Sequence, residues 1–454
     1  MIDPAITPNA IAYAWERLLD IAGAENLTPP YAYGPANTPL PEPGVVIVPA
    51  APDAWSRLLE LPAGQLDWLP AKALFPPEYP LPFHDPVPIL FWSDADRDKP
   101  PIGVRADGSI IFRVDLIAAA LFMLTRWEEI VLPQRDEHDR FPAIASTAYR
   151  QGFLDQPIVD RYAMILRAWL QRQRPAWQPR RRTFRLRLSH DIDHLRRFET
   201  IDLAARQIGR DLLRAKSLGR AWQDAQDYLQ AQWRFASNPY LSALERFADQ
   251  AESLDTQAVF YVLADGNTLY DTGYDVANPV FQDILLRLRA RGHIIGLHPS
   301  YETYLNPQQY LAEKERLQNA LGVEVHHARQ HYLRFRVPDT WRIAADMGIQ
   351  EDATLGYAQH EGFRCGTAHP FPVFDLPAGE RLPLFELPLH VMDGTLKEYQ
   401  QLSPEESLQR LRLMARRVAE VEGALHLLWH NHATVQPWTP WHEAYTQFLD
   451  EMAL

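Results

Sequence analysis

The 454-residue chain has a single cysteine, Cys365, which excludes an internal disulfide framework and fits a reducing compartment. Long apolar runs are also missing, and none approaches the roughly 18 residues needed to cross a bilayer. The opening residues, MIDPAITPNAIAYAW, include an acidic side chain but neither the basic stretch nor the apolar core of a secretory signal. These absences together set a cytoplasmic location as the expectation. A basic excess is lacking too. The formal net charge of −13 argues against a nucleic-acid or anionic-membrane footprint and leaves neutral or cationic partners open. One basic run, RQRPAWQPRRRTFRLRL over 172–188, alternates arginine with apolar residues into a strand. It reads as the solvated face of a sheet edge rather than a phosphate site.

A chain of this length exceeds what one hydrophobic core usually supports, so two or three domains are expected. Residues 1–180 read as a mixed α/β unit. It has a helix at 9–22, a proline-rich connector at 28–44, buried strands at 44–50 and 88–94, and a hairpin at 102–114 that turns on Asp107-Gly108. Helices at 116–130 and 159–172 complete it, with Trp127, Glu128 and Glu129 read as helix packing and a solvated face. Over 181–454 the rhythm changes. Strands at 183–191, 258–264, 293–300, 323–333 and 424–432 alternate with helices at 240–253, 278–290, 306–321, 339–347 and 403–421, and a polar helical stretch is expected at about 200–235. Such alternation predicts parallel βα units. No Gly-x-Gly-x-x-Gly follows the first strand, so a barrel-like closure is expected in preference to an open dinucleotide-binding sheet.

In these architectures the chemistry gathers at the C-terminal ends of strands. Four ends carry His190-Asp191-Ile192-Asp193-His194, Gly296-Leu297-His298-Pro299-Ser300, Arg329-Gln330-His331-Tyr332 and Trp429-His430-Asn431-His432. Asp191 and Asp193, two apart at a strand end, point the same way. Each motif alone is compatible with a turn or a structural histidine, but packing gives unrelated strand ends no reason to converge on Asp, His and Arg. A metal site follows as the expectation. A divalent ion such as zinc takes nitrogen and carboxylate ligands and keeps a position open for water, which then ionises near neutral pH. A further carboxylate can take the water proton, and an imidazole opposite can give one to a leaving amine.

With those motifs in view, residues from about 184 to 450 resemble the polysaccharide deacetylase domain of carbohydrate esterase family 4 type. SHDID resembles its first motif, AVFYVLA its second strand, RGHIIGLHPSY its metal motif and LLWHNH its final motif. The resemblance implies an irregular (β/α) barrel at 181–454, preceded at 1–180 by a smaller mixed α/β domain of unknown role. It implies a metal-dependent hydrolase that removes N-acetyl groups from an amino-sugar glycan or glycan precursor in bacterial surface polysaccharide metabolism. Asp191 would be the base, Arg329 its orienting partner, His430 the acid, and Asp193 and His298 ligands of a divalent metal, expected to be zinc. DATLGYA, GFRCGTAHPF and the WEE, DRF, GFL and VDRY segments resemble a branch with a separate N-terminal domain.

Two departures stand out. Ile192 separates aspartates that are adjacent in the family, and Glu302 stands where its second metal-motif histidine falls. The third ligand is therefore open between Glu302 and His331, with strand alternation from Arg329 favouring His331. Tyr332 and Trp429 read as aromatic walls for a sugar ring, with packing inside the barrel the simpler account of Trp429, Asp352 as a relay partner of His430 or a turn residue, and His194 as a residue that orients a ligand. His190 and His194 are expected in a loop, and His432 at the site or beside it. Two other readings stand beside the hydrolase: a glycosyltransferase that holds a metal–nucleotide complex through Asp191 and Asp193, and a catalytically silent glycan-binding scaffold.

Overall fold

The computed structural model describes residues 3–94, 97–196, 238–266, 268–271 and 273–453, with isolated positions between 205 and 229. Apart from those positions, the polar helix expected at about 200–235 lies outside the described residues. The first part of the chain folds round a four-stranded sheet of β1 (Tyr31–Tyr33), β2 (Val45–Ile47), β5 (Ile102–Val104) and β6 (Ile110–Phe112) in the order β1-β2-β6-β5. β3 (Asp67–Leu69) and β4 (Val87–Ile89) form a separate antiparallel pair. The β5–β6 hairpin turns at Asp107-Gly108 as expected. Gly108 takes φ +85°, and Asp107 Oδ1 accepts the Ser109 N–H at 2.8 Å.

The helix expected at 116–130 is two helices, Leu116–Leu124 and Trp127–Val131, broken at Arg126 with φ 51°. The break turns the buried Arg126 guanidinium back onto Glu128 (2.6 Å) and Glu129 (2.8 Å). Both glutamates, expected on a solvated face, are therefore buried. Arg364 supplies Glu129 with two further bonds of 2.9 and 2.6 Å, and Glu128 Oε2 accepts the Thr147 N–H at 2.7 Å. Buried charges persist only when paired in this way.

A nine-stranded sheet dominates the rest. Its strands are β7 (Arg185–Ile192), β8 (Ala258–Val262), β9 (Ile294–Leu297), β10 (His327–Ala328), β11 (Glu351–Asp352), β12 (Phe371–Asp375), β13 (Glu380–Glu386), β14 (Val391–Met392) and β15 (Ala424–Leu428). Their order is β12-β13-β11-β10-β9-β8-β7-β15-β14, parallel throughout except for the β12–β13 hairpin. The outermost strands, β12 and β14, share no ladder among the described residues. Helices Pro239–Ser253, Pro279–Ala290, Pro307–Leu321 and Pro404–Ala419 lie between the strands in sequence. Each starts at a sequence signal, an Asn or Ser cap followed by proline: Asn238, Asn278 and Asn306 accept first-turn N–H groups, and Ser403 forms a capping box with Glu406.

β7 is an interior strand paired with β8 and β15, so the basic run leading into it does not form a sheet edge. Arg180, Arg181 and Arg182 instead pair with Glu25, Glu422 and Asp20. The exposed edge, β12, is covered by the helix Pro8–Ile21. Tyr13 donates its hydroxyl to Pro372 O at 2.8 Å and stacks on Phe374. One continuous apolar cluster runs from Ala10 to Leu449 and takes in both sheets.

Candidate active site

Parallel strands end on one side of their sheet, and here five such ends meet over a cleft of about 230 Å³. β7 brings Asp191 and, just beyond it, Asp193. β9 brings His298, β10 Arg329 and then His331, β14 Asp393, and β15 His430.

Asp193 Oδ1 lies 3.4 Å from His298 Nε2 and 3.8 Å from His331 Nε2. The ligand-capable atoms of the three residues fall within 4.8 Å of one another. Both rings are held from behind: His298 Nδ1 donates to Arg329 O at 2.5 Å, and His331 Nδ1 to Asp271 Oδ1 at 2.9 Å. Donation from Nδ1 fixes each ring with its Nε2 turned toward Asp193. Asp271 is itself fixed by the Thr268 hydroxyl (2.7 Å) and the Tyr301 N–H (2.9 Å). Asp193 Oδ1 is buried and accepts no hydrogen bond. Burial opposes its ionisation, yet His430, His298 and His331 hold this carboxyl well below the usual carboxylate range. A buried carboxylate oxygen faced by two imidazole Nε2 atoms is a donor set that fits a divalent cation once those nitrogens have lost their protons.

Asp191 stands beside this set. Its Oδ1 accepts from Arg329 Nη1 at 2.9 Å, and its Oδ2 lies 3.6 Å from His298 Nε2. Arg329 is fully buried and locked on every side. Its Nε donates to Ala353 O (2.9 Å), its Nη2 to His426 Nε2 (3.0 Å), and its guanidinium covers the Tyr261 ring at 4.5 Å. Across the cleft His430 Nε2 is 3.6 Å from Asp193 Oδ2, while its Nδ1 bonds Asp393 Oδ1 at 2.7 Å. Burial works to lower the His430 pKa, but Asp393 and Asp193 outweigh it and lift it to about 10.

The structure thus brings together Asp191, Asp193, His298, Arg329, His331 and His430. It leaves Glu302 outside, half-exposed and 3.4 Å from Arg334. His331 arrives by another route than strand alternation: β10 stops at Ala328, and His331 opens a 3₁₀ turn with its N–H on Pro299 O at 3.0 Å. Tyr332, at φ 60°, lines the cleft. Trp429 does not: just past the end of β15, it is buried on the side away from the cleft and stacks on Tyr445 at 4.3 Å. His190 is likewise a strand residue, stacked on Phe247 at 3.8 Å with its pKa pushed down to about 3 by burial. Asp352 is buried and bonds Thr354 N at 2.9 Å, while the partner of His430 is Asp393. His194 and His432 both line the cleft.

The fold and site therefore define a parallel βα chain with a candidate metal centre at its strand ends. Comparison with known proteins adds distant similarities. A family of unknown function, DUF7033, matches residues 68–175. No curated protein matches the chain. Among solved structures it is similar to a Mycobacterium smegmatis protein named as a polysaccharide deacetylase, with 17% identity, 61% of this chain and 86% of that one covered, and a TM-score of 0.39. A Pseudomonas aeruginosa PAO1 protein named in the same way gives 12% identity, 60% and 85% coverage, and a TM-score of 0.37. A Bacillus anthracis protein described as a CE4 family pseudoenzyme gives 13% identity, 46% and 56% coverage, and a TM-score of 0.26.

Proposed function

We propose that the chain is a divalent-metal-dependent hydrolase that removes the N-acetyl group of an amino sugar. One observation carries this reading. Asp193, His298 and His331 face a common point, with a carboxylate that is not part of the set, Asp191, on one side and a charged imidazole, His430, on the other. Asp193, His298 and His331 would hold the cation, and their carboxylate and two nitrogens suit zinc. When bound, such an ion supplies Lewis acidity that polarises a carbonyl and lowers the pKa of a neighbouring water.

The chain's own residues supply the proton steps. Asp191, oriented through Oδ1 by Arg329, presents Oδ2 to take a proton from the attacking water. His430, kept protonated by Asp393, gives its Nε2 proton to the amide nitrogen as the carbon–nitrogen bond breaks. A carbon–oxygen bond forms, a carbon–nitrogen bond is lost, and the products are acetate and a free amine. Leu333, Ala358, Met392 and Leu428 form a small apolar cluster that also lines the cleft, a surface suited to an acyl methyl. A glycosyltransferase using Asp191 and Asp193 gives no role to the two histidines aimed at Asp193. The test is acetate release from N-acetylated sugars together with metal analysis of the purified chain. Metal-replete protein that releases no acetate from any such sugar would remove the reading.

A further inference from the structure

The cleft has a wall that the nine-stranded sheet does not supply. Arg140, from the loop 134–141 ahead of that sheet, lines it, and this loop lies within the residues matched by the family of unknown function. Its side chain is 5% exposed, and the guanidinium spans two rims that belong to distant parts of the sheet. Nη1 donates to Tyr332 O, just after β10, at 3.0 Å, and Nη2 donates to Tyr399 Oη, just after β14, at 3.3 Å. In the sheet order β14 is an edge strand and β10 lies beyond β7, β8 and β9, so this tie crosses the mouth between the two sides.

The tie is rigidly mounted. Asp136 accepts Arg140 Nε at 2.8 Å, and also the backbone N–H groups of His138 and Arg140 and the Gln359 amide, each at 2.9 Å. His138 Nδ1 meets the Tyr301 hydroxyl at 2.9 Å, Arg334 Nε donates to His138 O at 2.9 Å, and Asp139 accepts from the Tyr304 hydroxyl at 2.6 Å. A groove meant for the interior of a long glycan must let the chain enter on one side of the reacting unit and leave on the other. Here a guanidinium bonded to both banks stands in the wall of the cleft. The cleft is partly open to solvent, and its space of about 230 Å³ has room for a single sugar ring.

We propose that the loop 134–141 makes this a site for one terminal sugar unit, with Arg140 the specificity-determining residue that blocks an extended chain. The substrate is then a free N-acetylamino sugar or the end of a short glycan, not the interior of a polymer. This rests on the hydrolase reading above.

The test uses the metal-loaded full-length chain with N-acetylglucosamine and its linear hexasaccharide, mapping the position of each new amine by mass spectrometry. Deacetylation confined to one terminal unit of the hexasaccharide, with kcat/KM for the single sugar at least tenfold above that for any interior unit, is the expected result. Interior deacetylation by the wild-type chain overturns the proposal. In Arg140→Ala, interior units become substrates and the ratio of terminal to interior products falls at least tenfold; an unchanged ratio in folded protein also overturns it. If neither sugar is hydrolysed, the chemistry of the hydrolase reading fails, and binding to Asp191→Asn by calorimetry decides this point separately. Single-sugar binding at least as tight as that of the hexasaccharide supports the blocked wall, whereas tighter hexasaccharide binding, or no binding of either, sinks it.

Discussion

Arg329 Nη1 donates to Asp191 Oδ1 at 2.9 Å, a bond that Asp193, its near neighbour in sequence, does not share, and the proposed mechanism divides the two aspartates on this difference. Asp191 has Oδ1 committed to a buried guanidinium and stands outside the Asp193 set. Asp191→Asn is therefore expected to retain bound metal while kcat falls by about 10²–10⁴. Asp193→Asn loses the metal itself. Metal content by elemental analysis, set beside acetate release, checks both, and loss of metal from Asp191→Asn would refute the division of labour.

Asp393 sets the charge of His430. Burial alone would lower the imidazole pKa, but the two aspartates lift it to about 10. A folded pKa above the unfolded one stabilises the fold fully below the unfolded value, about 6.5. That contribution is lost as pH rises through about 10. A bound cation repels the proton and pulls the value down. Asp393→Asn removes the main support, so the alkaline limb of the kcat profile should move to lower pH. The profile of the variant against wild type measures this; coincident limbs would show that Asp393 does not tune the acid.

Much of this arrangement is legible in the sequence, and the gaps have physical causes. Asp191, Asp193, His298 and His430 could be read because each follows an apolar strand with clear boundaries. Strand alternation from Arg329 points to His331, but β10 is two residues long and a 3₁₀ turn sets the direction of this side chain instead. Asp393 left no comparable signal: β14 is only two residues, and an Asp-Gly pair reads as a turn. Arg140 sits in QRDEHDRF, which has the polarity of a solvated loop, and its docking depends on Tyr332 and Tyr399 far along the chain. For Trp429 aromatic character suggests sugar binding, while its position next to His430 just past β15 turns it to the opposite, packed face.

The third ligand can be tested by contrast. His331→Ala should abolish tight metal binding, and Glu302→Ala should leave it unchanged. Asp271 reaches the metal set only through His331 Nδ1, so Asp271→Ala is expected to lower metal affinity about 10–100-fold without removing it. His298 is drawn to higher pKa by Asp191 and Asp193 against the effect of burial, so protons compete with the cation and occupancy falls as pH drops. Equilibrium dialysis with zinc across pH reads all three effects. Normal affinity in His331→Ala would exclude it as a ligand.

Glu129 provides a test that involves no catalysis. Its carboxylate accepts from Arg126 and twice from Arg364, joining the first part of the chain to the large sheet's connections. Burial opposes its charge, but Arg364 and Arg126 prevail and hold its pKa at about 2. Glu129→Gln keeps the shape but takes from the buried Arg364 its paired carboxylate and leaves Arg126 with Glu128 alone, a change that typically costs about 3–5 kcal/mol. At roughly 1 °C per kcal/mol for a chain this long, the melting temperature should fall by about 3–5 °C. Because the folded pKa is depressed, the stabilisation is fully present above the unfolded value, about 4.3, and is lost as pH falls through about 2. The gap between wild type and Glu129→Gln should therefore be wide at neutral pH and narrow toward pH 2–3. Calorimetric unfolding at both ends of that range measures it, and equal stability of the two proteins at pH 7 would show that the buried ion pairs do not hold the two parts together.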